Sequence, residues 1–509
     1  MDTVKKILIP LLGFSILFSA TAFAACGNDG KDMQVTVSYE EFGAVGDGKT
    51  DDFEAIKQTH KYANENGYKV VADKDACYYI GAHNDTAIIK TDVDWNDADF
   101  IIDDTSVTVE NRGWHVFEVS SENPSYKVTV PKGYSIKAGQ TNLNLTFETD
   151  VMLCIVNSNK KDYIRFGKNT NSGSNRQEMI LVDGNGNVDE STPVLRDYVE
   201  VTSITAYSVT DSAVTVKGGN FTTVANVADI SANYYSRGIN VKRSNTTLSG
   251  ISHYITGEGE QGSPYTGFYV VNNANHVTIK DCVLTGHTTY TNIKPTGAVS
   301  QGTYDTQAVR SNDVSWINCT QANSVTDTTY WGVMASNFCK NLKMEGCNLS
   351  RFDAHQGVYN ATIKDTVLGQ NLTIIGAGTL HIENVQRLSG THFMQLRTDY
   401  GSTWEGDIIL KDCTLTTTSS ASYAILAEWN DWDFGYQCFL PETVTLDNFK
   451  VEGGKNCYVF SQVTNAKLSE MQKSKNPYVI TDTIIIENEV TPLKISSNTS
   501  GIFADTKIQ

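Results

Sequence analysis

A six-residue motif recurs along the second half of the chain. It occupies Thr246–Ile251, Val277–Cys282, Val314–Cys319, Leu342–Cys347, Ala361–Thr366, Leu380–Val385, Ile408–Cys413 and Val444–Phe449. Positions one and three are apolar or small, and alternation with period two signals a strand. Position five is always Asp, Asn or Gly, the residues that accept a left-handed backbone. Position six is small or apolar. A strand that bends at one fixed place and then turns its next side chain inward is the unit of a coiled β-solenoid. One coil cannot bury its apolar face alone, whereas stacked coils share a continuous core. Successive sixth positions lie 31, 37, 28, 19, 19, 28 and 36 residues apart. The short steps are near one minimal coil, and the long ones carry loops, which in a solenoid gather on a binding face. An antiparallel sandwich has no reason to keep a bend residue in one column. The expected fold is therefore an all-β, parallel β-helix.

Composition narrows the partners. The net charge of −18 argues against nucleic acid and anionic membranes. Lys5 and Lys6, the apolar run Ile7 to Phe18, and Ala22-Phe23-Ala24 read as a signal peptide over 1–24. That run is short for a membrane span, and no other segment looks transmembrane. The expected location is secreted, cell-surface or periplasmic. Cys26 follows at once, where a bacterial lipoprotein carries its lipid anchor, although Phe23 stands where such signals usually have Leu. Cys282, Cys319, Cys347 and Cys413 fall in the sixth column and read as packing residues. Neighbouring coils are ~4.8 Å apart, longer than the ideal Cβ separation of a disulfide. Cys77, Cys154, Cys438 and Cys457 are the cysteines available for pairing.

Residues 25–36 read as a polar tether and 37–84 as an N-terminal cap. Within the cap, Thr50 or Asp51 can start a helix with Glu54 as its capping-box partner, and Gly67 ends it. Ala55, Ile56, Thr59 and Ala63 form its inner face. Residues 85–230 read as early coils or an inserted β-module, 231–465 as the main coils and 466–509 as a C-terminal cap. Asp183-Gly-Asn-Gly-Asn-Val-Asp189 places oxygens at alternate positions as calcium loops do, but lacks the Gly at position six and the distal Glu. A Gly/Asn turn explains it equally well, and no other cofactor or metal is expected.

Phe42-Gly-x-x-Gly-Asp-Gly-x-Thr-Asp-Asp52 with its following helix resembles the N-terminal signature of the pectate-lyase-like, right-handed parallel β-helix superfamily. That superfamily includes polygalacturonase-type hydrolases, pectate and alginate lyases, epimerases and phage tailspikes. The resemblance implies a right-handed solenoid with a small helix-containing cap and a carbohydrate-active protein. The chain departs from it at Asp73-Lys-Asp-Ala76, where many members have a Pro/Gly turn. It also lacks the Asn-x-Asp, paired-Asp and Gly-His-Gly pattern of polygalacturonases, which implies a substrate other than pectin.

Counting back from the sixth column, Asp305 lies 14 residues before Cys319, Asp353 13 before Thr366 and Asp399 14 before Cys413. The three carboxylates are expected on one wall, with ~9.6 Å across two coils, a spacing that suits an inverting glycosidase pair. Arg351 and Arg397 each precede an Asp by two residues, and His355 shares the face of Asp353. Tyr304, Tyr330, Trp331, Tyr400, Trp404 and Trp429, with Glu428, fall in nearby loops and can bind sugar rings and hydroxyls. The leading expectation is an exported inverting glycoside hydrolase acting on a polysaccharide. Asp353 would be the acid, Asp305 or Asp399 the base, and His355 and Arg397 would tune the acid or hold substrate. A polysaccharide lyase using Arg351 or Arg397, and a non-catalytic glycan binder or adhesin, are the alternatives.

Overall fold

The bend residues behave as their chemistry demands. In the computed structural model, Gly250, Asp281, Asn318, Gly346, Asp365, Asn384, Asp412 and Asn448 all have φ between 49° and 65°. That is the left-handed region, which Asn, Asp and Gly enter at least cost. The structure describes residues 34–167, 169–226, 234–294, 297–428, 432–461, 478–488, 490–496 and 503–509, with backbone only at 292–294 and 297–299. The signal segment, Cys26, Trp429 and 466–477 lie outside the described residues.

Each bend delivers the chain to the next strand, and strands in successive coils pair in parallel. One ladder joins Leu248, Ile279, Trp316, Met344, Ile363, Ile382, Leu410 and Leu446 in direct register. It begins at Val37 and Val70 and passes through Val93 and Val216 before reaching Leu248. These positions are inward and buried, so like stacks on like through the length of the core. Two coils escape the sequence pattern. Val214–Lys217 precedes Gly218 at φ 74°, and Thr483–Glu487 precedes Asn488 at φ 55°. A second ladder carries Tyr78, Phe100, Phe221 and His253 inward. A third carries Ile239, Tyr269, Thr306, Met334 and Phe352.

Cys282, Cys319 and Cys347 stack in consecutive coils, and the Thr366 and Val385 coils separate them from Cys413. The Cys319 N–H donates to Cys347 Sγ at 3.4 Å, and the Cys347 N–H donates to Thr366 Oγ1 at 3.3 Å. All nine described cysteines are free thiols, including Cys77, Cys154, Cys438 and Cys457, the four that were available for pairing.

The segment 85–230 contains coil strands and an antiparallel sheet. Ala87–Ile89, Asp99–Asp103, Phe117–Ser120 and Asn220–Val224 are coil strands. Between them stands a four-stranded antiparallel sheet built from Tyr126–Val128, Val151–Asp162, Ser174–Val182 and Ser203–Ser208. It has its own core around Leu153, Ile155, Ile180 and Ile204. It docks on the coils through a buried Lys340–Glu178 pair at 3.1 Å. Asp183 accepts the amides of Asn185 and Asn187 at 2.9 Å each, so its loop is a self-satisfied turn.

Strands Thr36–Val37, Lys69–Val71 and Cys77–Ile80 already belong to the ladders, which leaves one helix, Phe53–Asn66, over the first coil. Ile56, Thr59 and Ala63 face inward as expected, joined by Phe53 and His60, and Gly67 ends the helix at φ 69°. Asp52 is the N-cap residue, but its carboxylate accepts the amides of Val45 and Gly46 at 2.7 and 3.2 Å and so pins the glycine turn. Asp51 takes the Phe53 amide at 3.1 Å instead. Among the described residues, no helix is long and apolar enough to cross a membrane.

Candidate functional site

A groove of about 740 Å³ opens where the β-module leans over the third ladder. Its floor is Asp353, in the long strand Asn348–Lys364, and Thr373 one coil on. Asp353 is 1% exposed at its side chain, and four groups surround it. Tyr304 Oη donates to Oδ2 at 3.0 Å, and His355 Nε2 lies 2.9 Å from the same oxygen. Arg397 Nη1 donates to Oδ1 at 2.9 Å, and Arg351 Nη1 stands 3.6 Å from Oδ2. Tyr304 Oη and His355 Nε2 are themselves 2.8 Å apart. Phenol, imidazole and carboxylate thus form one closed triangle.

Arg397 also bonds Asp399, through Nε at 3.1 Å and Nη2 at 2.9 Å. Asp399 sits in a short 3-10 turn, Thr398–Tyr400, closed by Gly401 at φ 90°. It takes a further bond from Arg165 Nε at 2.6 Å. Arg165 comes from the β-module, and the Phe166 amide donates to the Asp399 carbonyl at 2.9 Å, which fixes the module's loop against the coil. Arg351 lies over the Trp331 ring, 4.3 Å from its centroid. Its Nε and the Thr373 hydroxyl are buried without a protein partner. Such groups cost free energy unless something enters to meet them.

Burial and neighbouring charges set the protonation that these groups favour. Burial opposes ionisation of Asp353, but His355, Arg397 and Arg351 outweigh it and hold its carboxyl well below the usual range. Burial likewise opposes ionisation of Asp399, and Arg397 and Arg165 outweigh it. Burial pushes the His355 imidazole below its ordinary value, against the pull of Asp353. Burial, reinforced by Asp353, keeps the Tyr304 phenol protonated far above its usual value. At neutral pH the groove therefore holds two carboxylates, a neutral imidazole and a phenol. Three guanidiniums line it against two carboxylates, in a chain whose net charge is −18.

The structure brings together Asp353, Asp399, His355, Arg351, Arg397, Tyr304, Trp331 and Tyr400 of the expected residues. It corrects others. The neighbours of Asp353 favour its ionised form, which is the opposite of what the role of acid asks of it. Trp404 is fully buried in the core, its indole N–H donating to the Gly378 and Asp407 carbonyls. Tyr330 is half-buried outside the groove, and Glu428 is exposed away from it. Asp305 is turned inward: it stands at the bend just before strand Thr306–Val309, where the alternation of a strand does not govern it. There it meets His253 Nδ1 at 2.6 Å, His287 Nε2 at 3.2 Å and the Thr285 amide at 2.7 Å. Glu258 completes this second cluster, 3.3 Å from His287 Nδ1. Burial lowers the His287 pKa, but Asp305 and Glu258 outweigh it and raise it to about 9. Arg165 was missed, since nothing in the irregular 85–230 segment ties it to a motif 234 residues away.

No protein-family model matches the sequence, and no curated protein sequence matches it. Solved structures do resemble it. The tailspike protein gp49 from Pseudomonas phage LKA1 superposes with a TM-score of 0.52 at 14% identity, over 93% of this chain and 84% of that chain. The tailspike gp61 of Pseudomonas phage phi297 gives 0.48 at 10% identity, over 94% and 84%. The gp54 tailspike of Acinetobacter baumannii bacteriophage AP22, solved with A. baumannii capsular saccharide, gives 0.46 at 11%, over 93% and 79%. The first of these likenesses, with the parallel ladders, shows the fold: a right-handed parallel β-helix.

Proposed function

We propose that the groove binds an acidic polysaccharide and that Tyr304 and His355 cleave it by β-elimination. The observation that carries this reading is the geometry of the triangle: an imidazole and a phenol 2.8 Å apart, both on the buried Asp353 carboxylate, where burial favours the neutral imidazole. An inverting hydrolase needs a carboxylic acid held protonated, and the groove's two carboxyls are both stabilised as anions. Elimination needs a base, a proton donor and positive charge for the uronate. His355 takes the proton at C5, the C4–O4 bond breaks as the C4–C5 double bond forms, and Tyr304 protonates O4. The proton then returns from His355 to Tyr304 across their contact. The partnerless Arg351 Nε and the Arg165 guanidinium face the uronate carboxylate and stabilise the charge that develops beside C5. The Phe42–Asp52 signature fits the same class of protein. Export through the 1–24 segment, with Cys26 as lipid attachment point, belongs to the same proposal.

Asp399 favours a second reading. Its side chain is 24% exposed, so it can reach a water and serve as a hydrolytic base. The deciding experiment incubates purified protein with a panel of uronate-containing and neutral polysaccharides. Lyase action yields new reducing ends together with the ultraviolet absorbance of an unsaturated uronide. Hydrolysis yields reducing ends without that absorbance. Binding without product on every glycan would leave only a binder.

A further inference from the structure

We infer that His253, His287 and Asp305 form a first-row divalent metal site inside the solenoid, with zinc-like preference. The three donor atoms lie within 4.8 Å of one another. Asp305 Oδ1 stands 2.6 Å from His253 Nδ1 and 3.2 Å from His287 Nε2. Tetrahedral ligands on bonds of about 2.1 Å lie about 3.4 Å apart, so the cluster would open by less than about 1 Å to admit the ion.

The stronger argument is what the other ends of these ligands do. His253 Nε2 bonds Thr223 Oγ1 at 2.9 Å. His287 Nδ1 faces Glu258 Oε1 at 3.3 Å, and Glu258 Oε2 is held by the Thr288 amide at 2.8 Å. Asp305 Oδ2 accepts the Thr285 amide at 2.7 Å. Every donor aimed at the centre is therefore oriented from behind, and a carboxylate behind a histidine is the usual support of a metal-bound imidazole. Glu258 Oε1 and His287 Nδ1 have no well-formed hydrogen bond, although both atoms are buried.

Asp305 and Glu258 bring two carboxylates to the cluster, a charge that a divalent cation balances. Two imidazoles and one carboxylate suit zinc, iron, cobalt or nickel better than calcium or magnesium. The site lies directly behind Tyr304, so the ion would brace the strand that presents the phenol to the groove. The inference stands on its own geometry and does not depend on the groove's chemistry.

The test uses the full chain, grown with added zinc so that loading accompanies folding, and a second batch dialysed against chelator. After gel filtration, atomic emission should find about one zinc per chain in the first batch. The second should regain it from zinc chloride with a rise in Tm, and should give a visible d–d band with cobalt chloride. Glu258→Gln and Thr223→Val should each weaken zinc binding by about 10–100-fold while remaining folded. His253→Gln with His287→Gln should abolish it. Calcium chloride should not compete. Protein that retains no zinc from either route, or zinc retained equally in the double variant, would overturn the site.

Discussion

Arg397 bonds Asp353 through Nη1 at 2.9 Å and, with the rest of the same guanidinium, grips Asp399 two residues further along the chain. One planar cation thus spaces two carboxylates that lie two coils apart. A lysine is a single point charge and cannot hold both. Arg397→Lys is expected to keep the fold and lose at least about tenfold in kcat/KM, equal to about 1.4 kcal/mol. Arg397→Ala is expected to cost about 3–5 kcal/mol in urea unfolding, since it strips a buried carboxylate of its partner. An alanine variant as stable and active as the parent would show the bridge to be ornamental.

Arg165 reaches the site from the β-module and not from the coils. Its bond to Asp399 at 2.6 Å is partly exposed, so its loss should barely alter Tm. Binding of an acidic oligosaccharide should weaken by about tenfold in Arg165→Ala, and neutral oligosaccharides should be unaffected. Equal losses for both would remove the reading of Arg165 as a carboxylate contact.

Phe166 and Trp432 stand 5.4 Å apart, and they are 42% and 41% exposed. Exposed aromatic pairs beside a polar groove form natural platforms for a sugar ring. Phe166 adjoins Arg165 at the groove's rim, so the pair lies on the path of a longer chain. The variant Phe166→Ala with Trp432→Ala should weaken binding of long oligosaccharides by about tenfold and leave the shortest bound ones unchanged. Isothermal titration over a length series separates this from a general loss.

Acid should destabilise the protein through its buried imidazoles. His60 is fully buried against the Tyr39 hydroxyl at 2.9 Å, and burial pushes its pKa down to about 3. The unfolded chain takes up a proton near pH 6.5 that the folded chain refuses, so more protons are bound when unfolded between those values. Stability therefore falls as pH drops below 6.5, by about 1.4 kcal/mol per unit for this group, until about pH 3. His115 and His392 shift in the same direction. His60→Gln should flatten the acid limb of Tm against pH; an unchanged slope would sink the assignment. Turnover should stay on its plateau to a pH below 6.5, because His355 is also held neutral.

The coils were legible because their signal is local and repeated. A bend residue must tolerate left-handed backbone wherever the sheet turns, so Asp281, Asn318 and Asp365 announce themselves in one column. The groove was legible only where the same ruler applied, which placed Asp353 and Asp399 on one wall. It failed one residue from success at Asp305, since counting back from a column gives height along the solenoid and not which side of the sheet a side chain takes. Trp404 misled for the same reason. Arg165 and His253 were out of reach. The first arrives by docking of an antiparallel insert, and the second is an inward polar residue where its ladder otherwise carries rings and aliphatics.

Trp316 tests the solenoid itself. It is fully buried in the first ladder between Ile279 and Met344, and its indole N–H donates to Thr306 at 3.0 Å. Truncating a buried tryptophan costs about 3–5 kcal/mol. In a globular core that cost would lower one cooperative transition. In a stack, each coil is held mainly by its two neighbours, so a weak rung also loosens the coupling between the coils on either side. Trp316→Ala should therefore do more than lower Tm: calorimetry should show its single unfolding peak broaden or split as the two flanking stacks separate. The same substitution at Trp95, near the capped end, should lower stability without splitting the transition. A sharp single peak for Trp316→Ala would mean that the coils are coupled by more than nearest-neighbour contact, with the docked β-module as the element that bridges them.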